Sequence, residues 1–305
     1  MFNKILVPLD GSELAERALN PALTLVQQVK GEAILLSVPV LKEMFVSGGN
    51  GYSVLLPEDS LQESQQELMG YLQTVAQNWA RPDVLLRTEV IKGDEASVIV
   101  ETAAAENVDL IVMSTHGYSG LTRWMLGSIT EKVLRAAPCP VLVMRSLDPI
   151  SRILITLDGS ELAEYSIEPG LEFAQQYGGE VILLRVEHSQ ESFLPRFGPP
   201  QMPSEAPRDE DRGQKKVSDF AKIYLKRMVE SQRLSGQHIE TAVSFGSPAE
   251  GILDFAELNQ IDLIVMSTHG RTGLAHWVYG SVTEKVLRGA ECAMLIIRPP
   301  AGELN

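Results

Sequence analysis

The sequence has 305 residues, 44% of them hydrophobic and 22% charged, with a formal net charge of −14. That balance belongs to a folded globular protein with enough chain for two domains, and it excludes a disordered polyelectrolyte. Residues 1–148 carry 11 Lys/Arg against 18 Asp/Glu and residues 149–305 carry 15 against 22. Both halves are therefore equally acidic, which excludes a general binder of phosphate backbones and obliges any nucleotide site to work through local fields.

In chain order, residues 4–9 are expected as a strand, 12–30 as a helix and 33–38 as a strand, followed by a Gly/Ser loop at 47–53. Leu61, Leu68, Leu72, Val75 and Trp79 recur at helical spacing and define one buried stripe. Residues 84–91 read as a strand, 95–106 as a helix and 110–113 as an uninterrupted apolar strand; a glycine-spaced loop then leads to a helix at 129–136 and a closing strand at 141–144. The second half repeats the order, with strands at 152–157, 181–186, 239–244, 263–266 and 293–297. Apolar runs buried on both faces, alternating with helices, imply parallel sheets with right-handed crossovers, five strands to each half.

The alternation repeats because the chain does. Leu9-Asp10-Gly11-Ser12-Glu13-Leu14-Ala15-Glu16 returns letter for letter at 157–164, and residues 109–117 (DLIVMSTHG) return at 262–270. Gly127-Ser128-Ile129-Thr130-Glu131 returns as Gly280-Ser281-Val282-Thr283-Glu284. A period near half the chain is one compact domain rather than a solenoid unit, so two tandem domains are expected, residues 1–146 and 150–300, with a short linker. The offset between the halves grows from 148 at Asp10/Asp158 to 153 at Gly117/Gly270, which places five extra residues in the Pro-rich charged stretch 195–213. That stretch lacks apolar periodicity and reads as a mobile loop, either an ordinary surface loop or a lid.

Cys139 and Cys292 occupy matching places at the start of apolar strands and read as buried small residues rather than a disulfide. No Cys/His cluster has metal-ligand spacing, and no apolar run reaches membrane length. With no signal-peptide core ahead of Asp10, the cytoplasm is the expected location.

Two features, each present twice, can carry chemistry. Asp10 and Asp158 each end a first strand before Gly-Ser; such a carboxylate either satisfies the amides of the next helix or faces a ligand at the strand ends. Ser114-Thr115-His116-Gly117 follows the fourth strand, nine residues intervene, and Gly127-Ser128 opens a helix, as Ser267-Thr268-His269-Gly270 and Gly280-Ser281 do later. Glycines admit a phosphate close to the backbone, and amides at a helix start offer it hydrogen bonds and a favourable dipole. Ser128 with Glu131, and Ser281 with Glu284, also fit a capping box that needs no ligand. Neither a P-loop lysine nor a G-x-S-x-G elbow is present, and His116 and His269 have no partner nucleophile or base, so no catalytic residue is assigned.

The strand-ending Asp, the loop of form G-x-x-G-x9-G-[S/T] and the twofold α/β pattern together resemble the universal stress proteins, here as a tandem pair. The resemblance implies Rossmann-like domains with strand order 3-2-1-4-5 and helices on both faces. It also implies ATP or another adenine nucleotide, with Mg²⁺, as ligand in a stress-response or signalling role. By position, Asp10 and Val38 would hold the adenosine and Ser114, Gly117, Gly127, Ser128 and Thr130 the phosphates. Asp158, Val186, Ser267, Gly270, Gly280, Ser281 and Thr283 match them in the second half. The family's first loop glycine is Ser114 here and Ser267 in the repeat; serine offers a hydroxyl to a phosphate, and its Cβ narrows the approach. Family members pair through their fifth strands, which implies an intrachain pseudo-dimer, with room for a further homodimer and for a protein partner of unknown identity. The alternatives are a nucleotide-independent scaffold, in which the glycines serve turns alone, and a slow ATPase, for which no water-positioning residue is evident.

Overall fold

The computed structural model describes residues 2–39, 58–115, 126–145, 149–188, 209–232, 237–268 and 280–298. The chain falls into two compact units, Met1–Leu147 and Asp148–Asn305.

The first unit contains β1 (Lys4–Pro8), α1 (Glu13–Glu16), α2 (Leu19–Val29), β2 (Glu32–Ser37), α3 (Glu58–Asn78) and β3 (Leu85–Val90). It continues with α4 (Glu95–Ala105), β4 (Leu110–Ser114), α5 (Ser128–Ala136) and β5 (Val141–Met144). The strands lie in the order β3-β2-β1-β4-β5, and each of these pairings is parallel. Ile5 faces Ala33 on one side and Leu110 on the other, which sets β1 and β4 against each other at the point where chain order reverses. Right-handed crossovers then put the helices that leave β1 and β2 on one face of the sheet, and α4 and α5 on the other.

The second unit repeats this plan with β6 (Arg152–Thr156), α6 (Glu161–Glu164), α7 (Ile167–Tyr177), β7 (Glu180–Glu187), α8 (Asp209–Ser231) and β8 (Ile239–Phe245). α9 (Pro248–Leu258), β9 (Leu263–Ser267), α10 (Ser281–Gly289) and β10 (Ala293–Ile297) complete it. Its order is β8-β7-β6-β9-β10, again parallel throughout. The expected strand order 3-2-1-4-5 therefore holds in both units.

The core follows the apolar runs. Leu110, Ile111 and Val112 of β4, and Leu263, Ile264 and Val265 of β9, are fully buried, as strands covered on both faces must be. Of the stripe expected on α3, Leu72 and Val75 are buried. Each first strand is also tied at its amino end. Asp109 Oδ2 accepts from the Asn3 and Lys4 amides, both at 2.9 Å, and Asp262 Oδ2 accepts from Ser151 N and Arg152 N at 2.9 and 2.8 Å.

Two expectations are corrected. The single helix over 12–30 is broken into α1 and α2, with tight bonds from Arg17 N to Leu14 O and from Ala18 N to Ala15 O between them. Pro21 is the cause, because its ring collides with the carbonyl four residues back in a continuous helix and it has no N–H to donate. Pro169 breaks the second unit identically, between α6 and α7. The stretch 195–213 is not loop throughout, since its last five residues begin α8. The apolar stripe of that helix starts only at Val217, so the sequence pattern gave no sign of its first turns. Residues 195–208, like the Gly/Ser loop 47–53, lie outside the described residues.

Candidate functional site

Both units carry described candidate residues at or near the carboxyl ends of their strands, beside the β1/β4 and β6/β9 reversals. Asp10 follows β1 and is exposed; its Oδ1 accepts from Ser12 N at 3.0 Å and Ser12 Oγ at 2.6 Å. Ser12 is the N-cap of α1, its Oγ accepting from Ala15 N at 3.1 Å. Asp158 and Ser160 reproduce this at 2.9, 2.6 and 3.1 Å. The turn role of the aspartate is therefore real, and the carboxylate stays at the surface beside the strand ends. Gly11 and Gly159 between Asp and Ser adopt φ of 84° and 90°, the left-handed region in which glycine alone is unstrained.

Val38 lies just past β2 and is half-buried. Val186, near the end of β7, directs its side chain at α9, where Cγ1 lies 2.8 Å from the position of a Cβ on Gly251. Ser114 and Ser267 end β4 and β9, both half-buried. Gly117 and Gly270, with His116 and His269, lie outside the described residues.

The helix that follows is built differently from a capping box. Gly127 is the N-cap of α5 and Ser128 the first helical residue, exposed to solvent; Gly280 and Ser281 stand the same way at α10. Glu131 and Glu284 turn down the helix to Arg135 and Arg288. The capping-box reading fails because a box needs its hydroxyl at the cap, and glycine brings no side-chain acceptor there. The glycine is fixed by packing: Gly127 N donates to Thr115 O at 2.8 Å, and a Cβ on Gly127 would lie 2.7 Å from that oxygen. Thr130 is buried, its Oγ1 donating to Ser114 O at 3.1 Å, so it joins α5 to the end of β4. Thr283 is buried at the matching place.

The family model of the universal stress proteins matches residues 1–145 and again residues 149–298. The chain belongs to the universal stress protein family. It is similar to a universal stress protein E homolog of Haemophilus influenzae, 26% identical with 98% of each chain covered. A universal stress protein of Methanocaldococcus jannaschii is 34% identical over 145 residues, 48% of this chain and 83% of that protein. Among solved structures, a universal stress protein from Archaeoglobus fulgidus superposes with a TM-score of 0.70 at 22% identity, covering 98% of this chain and 99% of that one. Two family units in tandem thus account for nearly the whole chain.

A second layer of the site was not read from the sequence. Tyr71 on α3 donates to Glu16 Oε1 at 3.0 Å, and Tyr224 on α8 donates to Glu164 Oε1 at the same distance. Burial pushes the Tyr224 hydroxyl well above the ordinary tyrosine range, and the hydrogen bond and charge of Glu164 add to the rise. In the second unit a cation joins this pair, with Arg185 Cζ 5.1 Å from the Tyr224 ring centroid and Nε donating to Glu187 Oε1 at 2.6 Å. The signal existed in the repeat, since Ser37-Val38 in one half stands where Arg185-Val186 stands in the other. Among the described residues no group of three or more His, Cys, Asp or Glu side chains is arranged to hold a metal ion, and no helix is long and apolar enough to cross a membrane.

Proposed function

We propose that each unit is built to bind an adenine nucleotide, ATP or a close relative, at the carboxyl ends of its strands. Asp10 and the chain at Val38 receive the adenosine. Ser114, Gly117, Gly127, Ser128 and the turn held by Thr130 receive the phosphates. Asp158, Val186, Ser267, Gly270, Gly280, Ser281 and Thr283 act alike in the second unit. Mg²⁺ accompanies the nucleotide on its phosphates, since the described residues supply no cluster of ligands for it. Occupancy then biases how the protein meets its partners in a stress response.

The observation that carries this reading is the start of α5 and α10. A nine-residue helix opens on a glycine cap beside the end of the fourth strand, at the topological reversal, and it does so twice. Such a terminus attracts an anion through its amides and dipole, and a local field of this kind is what an acidic protein needs to hold one.

Substitution of Ser128 and Ser281 by Asp separates the reading from a purely structural one. A carboxylate at the first helical position is favourable to the helix by about 0.3–1 kcal/mol, while it repels a phosphate in the same place. The double variant is expected to keep or raise its urea midpoint and to lose ATP binding by about tenfold or more, as measured by calorimetry with Mg²⁺ present. If native mass spectrometry and calorimetry find no adenine nucleotide on the wild-type chain at millimolar concentration, the nucleotide-independent scaffold replaces this reading.

A further inference from the structure

The two units are not equivalent where the adenosine is proposed to sit. In the first, the last residue of β2 is Ser37, 1% exposed, whose Oγ turns inward and donates to Leu9 O at 2.7 Å. That short side chain spends its hydroxyl on the carbonyl of Leu9, the residue before Asp10. In the second, the matching residue is Arg185, and its guanidinium rests directly on the Asp158-Gly159 turn. A methyl group placed on Gly159 would lie 2.6 Å from Nη1, 3.3 Å from Cζ and 3.5 Å from Nη2.

The guanidinium is also held there. Glu187 Oε1 takes Nε at 2.6 Å, with the two side chains only 23% and 18% exposed, and the Tyr224 ring faces Cζ at 5.1 Å. A charge-assisted bond in a partly buried setting and a cation–π contact both resist displacement. Tyr224 is anchored in turn by Glu164 at the end of α6. Glu187 and Arg185 have no counterparts in the first unit, where Pro39 and Ser37 stand. The Tyr–Glu pair is common to both units, while the arginine at this strand position stands in the second.

We infer that Arg185 is a specificity-determining residue that makes the second unit the weaker nucleotide site, because its guanidinium covers the turn carrying Asp158 and must move aside before an adenosine can settle there. This rests on the nucleotide-binding reading above. One chain then takes up one adenine nucleotide at its first unit before the second begins to fill, so that the duplicated fold senses two ranges of nucleotide concentration.

Calorimetric titration of the intact chain with ATP and Mg²⁺ tests this. The wild type is expected to show one site per chain, with the second weaker by about tenfold or more. Arg185→Ser is expected to bring the second site to within a few-fold of the first. Arg185→Lys, which keeps the charge but lacks the planar fork held by Glu187 and Tyr224, should strengthen that site in part. Asp10→Ala locates the strong site: it should remove strong binding from the wild type and leave one strong site in the Arg185→Ser background. Two equal sites in the wild type, or a second site that weakens when Arg185 is replaced, would overturn the inference while leaving the nucleotide reading intact. Absence of binding in every variant would remove both.

Discussion

Thr130 has its hydroxyl at 3.1 Å from the Ser114 carbonyl and only 3% of its surface exposed. It works as a strut before it can work as a ligand, because it fixes the distance between the end of β4 and the first turn of α5. Thr130→Val keeps the β-branched shape and removes the donor, leaving a part-buried carbonyl with one bond fewer. The expected loss is about 1 kcal/mol, and up to about 3 if no water replaces the donor, read as a lowered urea midpoint at unchanged slope. An unchanged midpoint would mean that the bond is immaterial. The sequence named Thr130 for its chemistry and could have named it for its burial, since Thr130, Val133, Leu134 and Ala137 lie on one helical face and all are buried. Arg185 illustrates the opposite case. Its place in the repeat and its neighbour Glu187, two residues along the same strand, were legible, but that its guanidinium would fold back over Gly159 depended on a tyrosine that only the tertiary fold brings to it.

At the scale of elements, the turn between α2 and β2 offers a direct comparison between the repeats. Lys30 ends α2 in the left-handed conformation with φ of 55°, and Gly178 ends α7 at the same place with φ of 68°. A side chain in that region costs about 1–2 kcal/mol, against about 0.4–1 kcal/mol that glycine gives back through the freedom of the unfolded chain. The ion pair lost with the lysine, Lys30 Nζ to Asp83 at 3.8 Å, joins two well-exposed side chains and contributes little. Lys30→Gly is therefore expected to stabilise the protein by about 0.5 kcal/mol, and a lowered thermal midpoint would contradict the argument. The strands and their order were legible because doubly covered parallel strands must be continuously apolar, as β4 and β9 are. Element boundaries were less so. The α1/α2 break needed attention to Pro21 and Pro169, and the cap of α5 turned on whether Gly127 or Ser128 adopts the extended conformation, which residue preferences for caps do not decide. That shift of one residue separates a self-satisfied capping box from a helix start that can receive an anion.

At the scale of the whole molecule, the two units share a fold but are expected to differ in their acid response. Glu106 lies below the ordinary carboxylate range, chiefly through the hydrogen bond from Arg87 and then that from Lys4, with contacts of 2.7 and 3.3 Å. Asp94, the N-cap of α4, is also held low, first by the Ser97 side chain and then by its backbone amide, at 2.9 and 3.1 Å. At an offset of 153, the second unit has Asn259 and Ser247 at these positions, neither of which titrates in the acid range. A carboxyl group whose value is depressed by folding binds protons more readily in the unfolded chain. Its stabilisation is thus complete above the unfolded value, near 4 for Asp and Glu, and is lost as pH falls through the folded one. Asp94 is exposed and Glu106 half-buried at the surface, so the effect is modest per group, and both act in the same direction on the first unit. Urea titrations at pH 7 and at about pH 3.5, each read by pulsed hydrogen exchange under a common labelling condition, should show peptides of residues 1–145 losing protection at distinctly lower urea in acid. Peptides of residues 149–298 should shift less. Glu106→Gln should narrow the difference, because it removes one of the two titrating groups at the cost of a weaker bond to Arg87 at neutral pH. Equal acid shifts in the two units, or a larger one in the second, would show that other carboxylates govern the response.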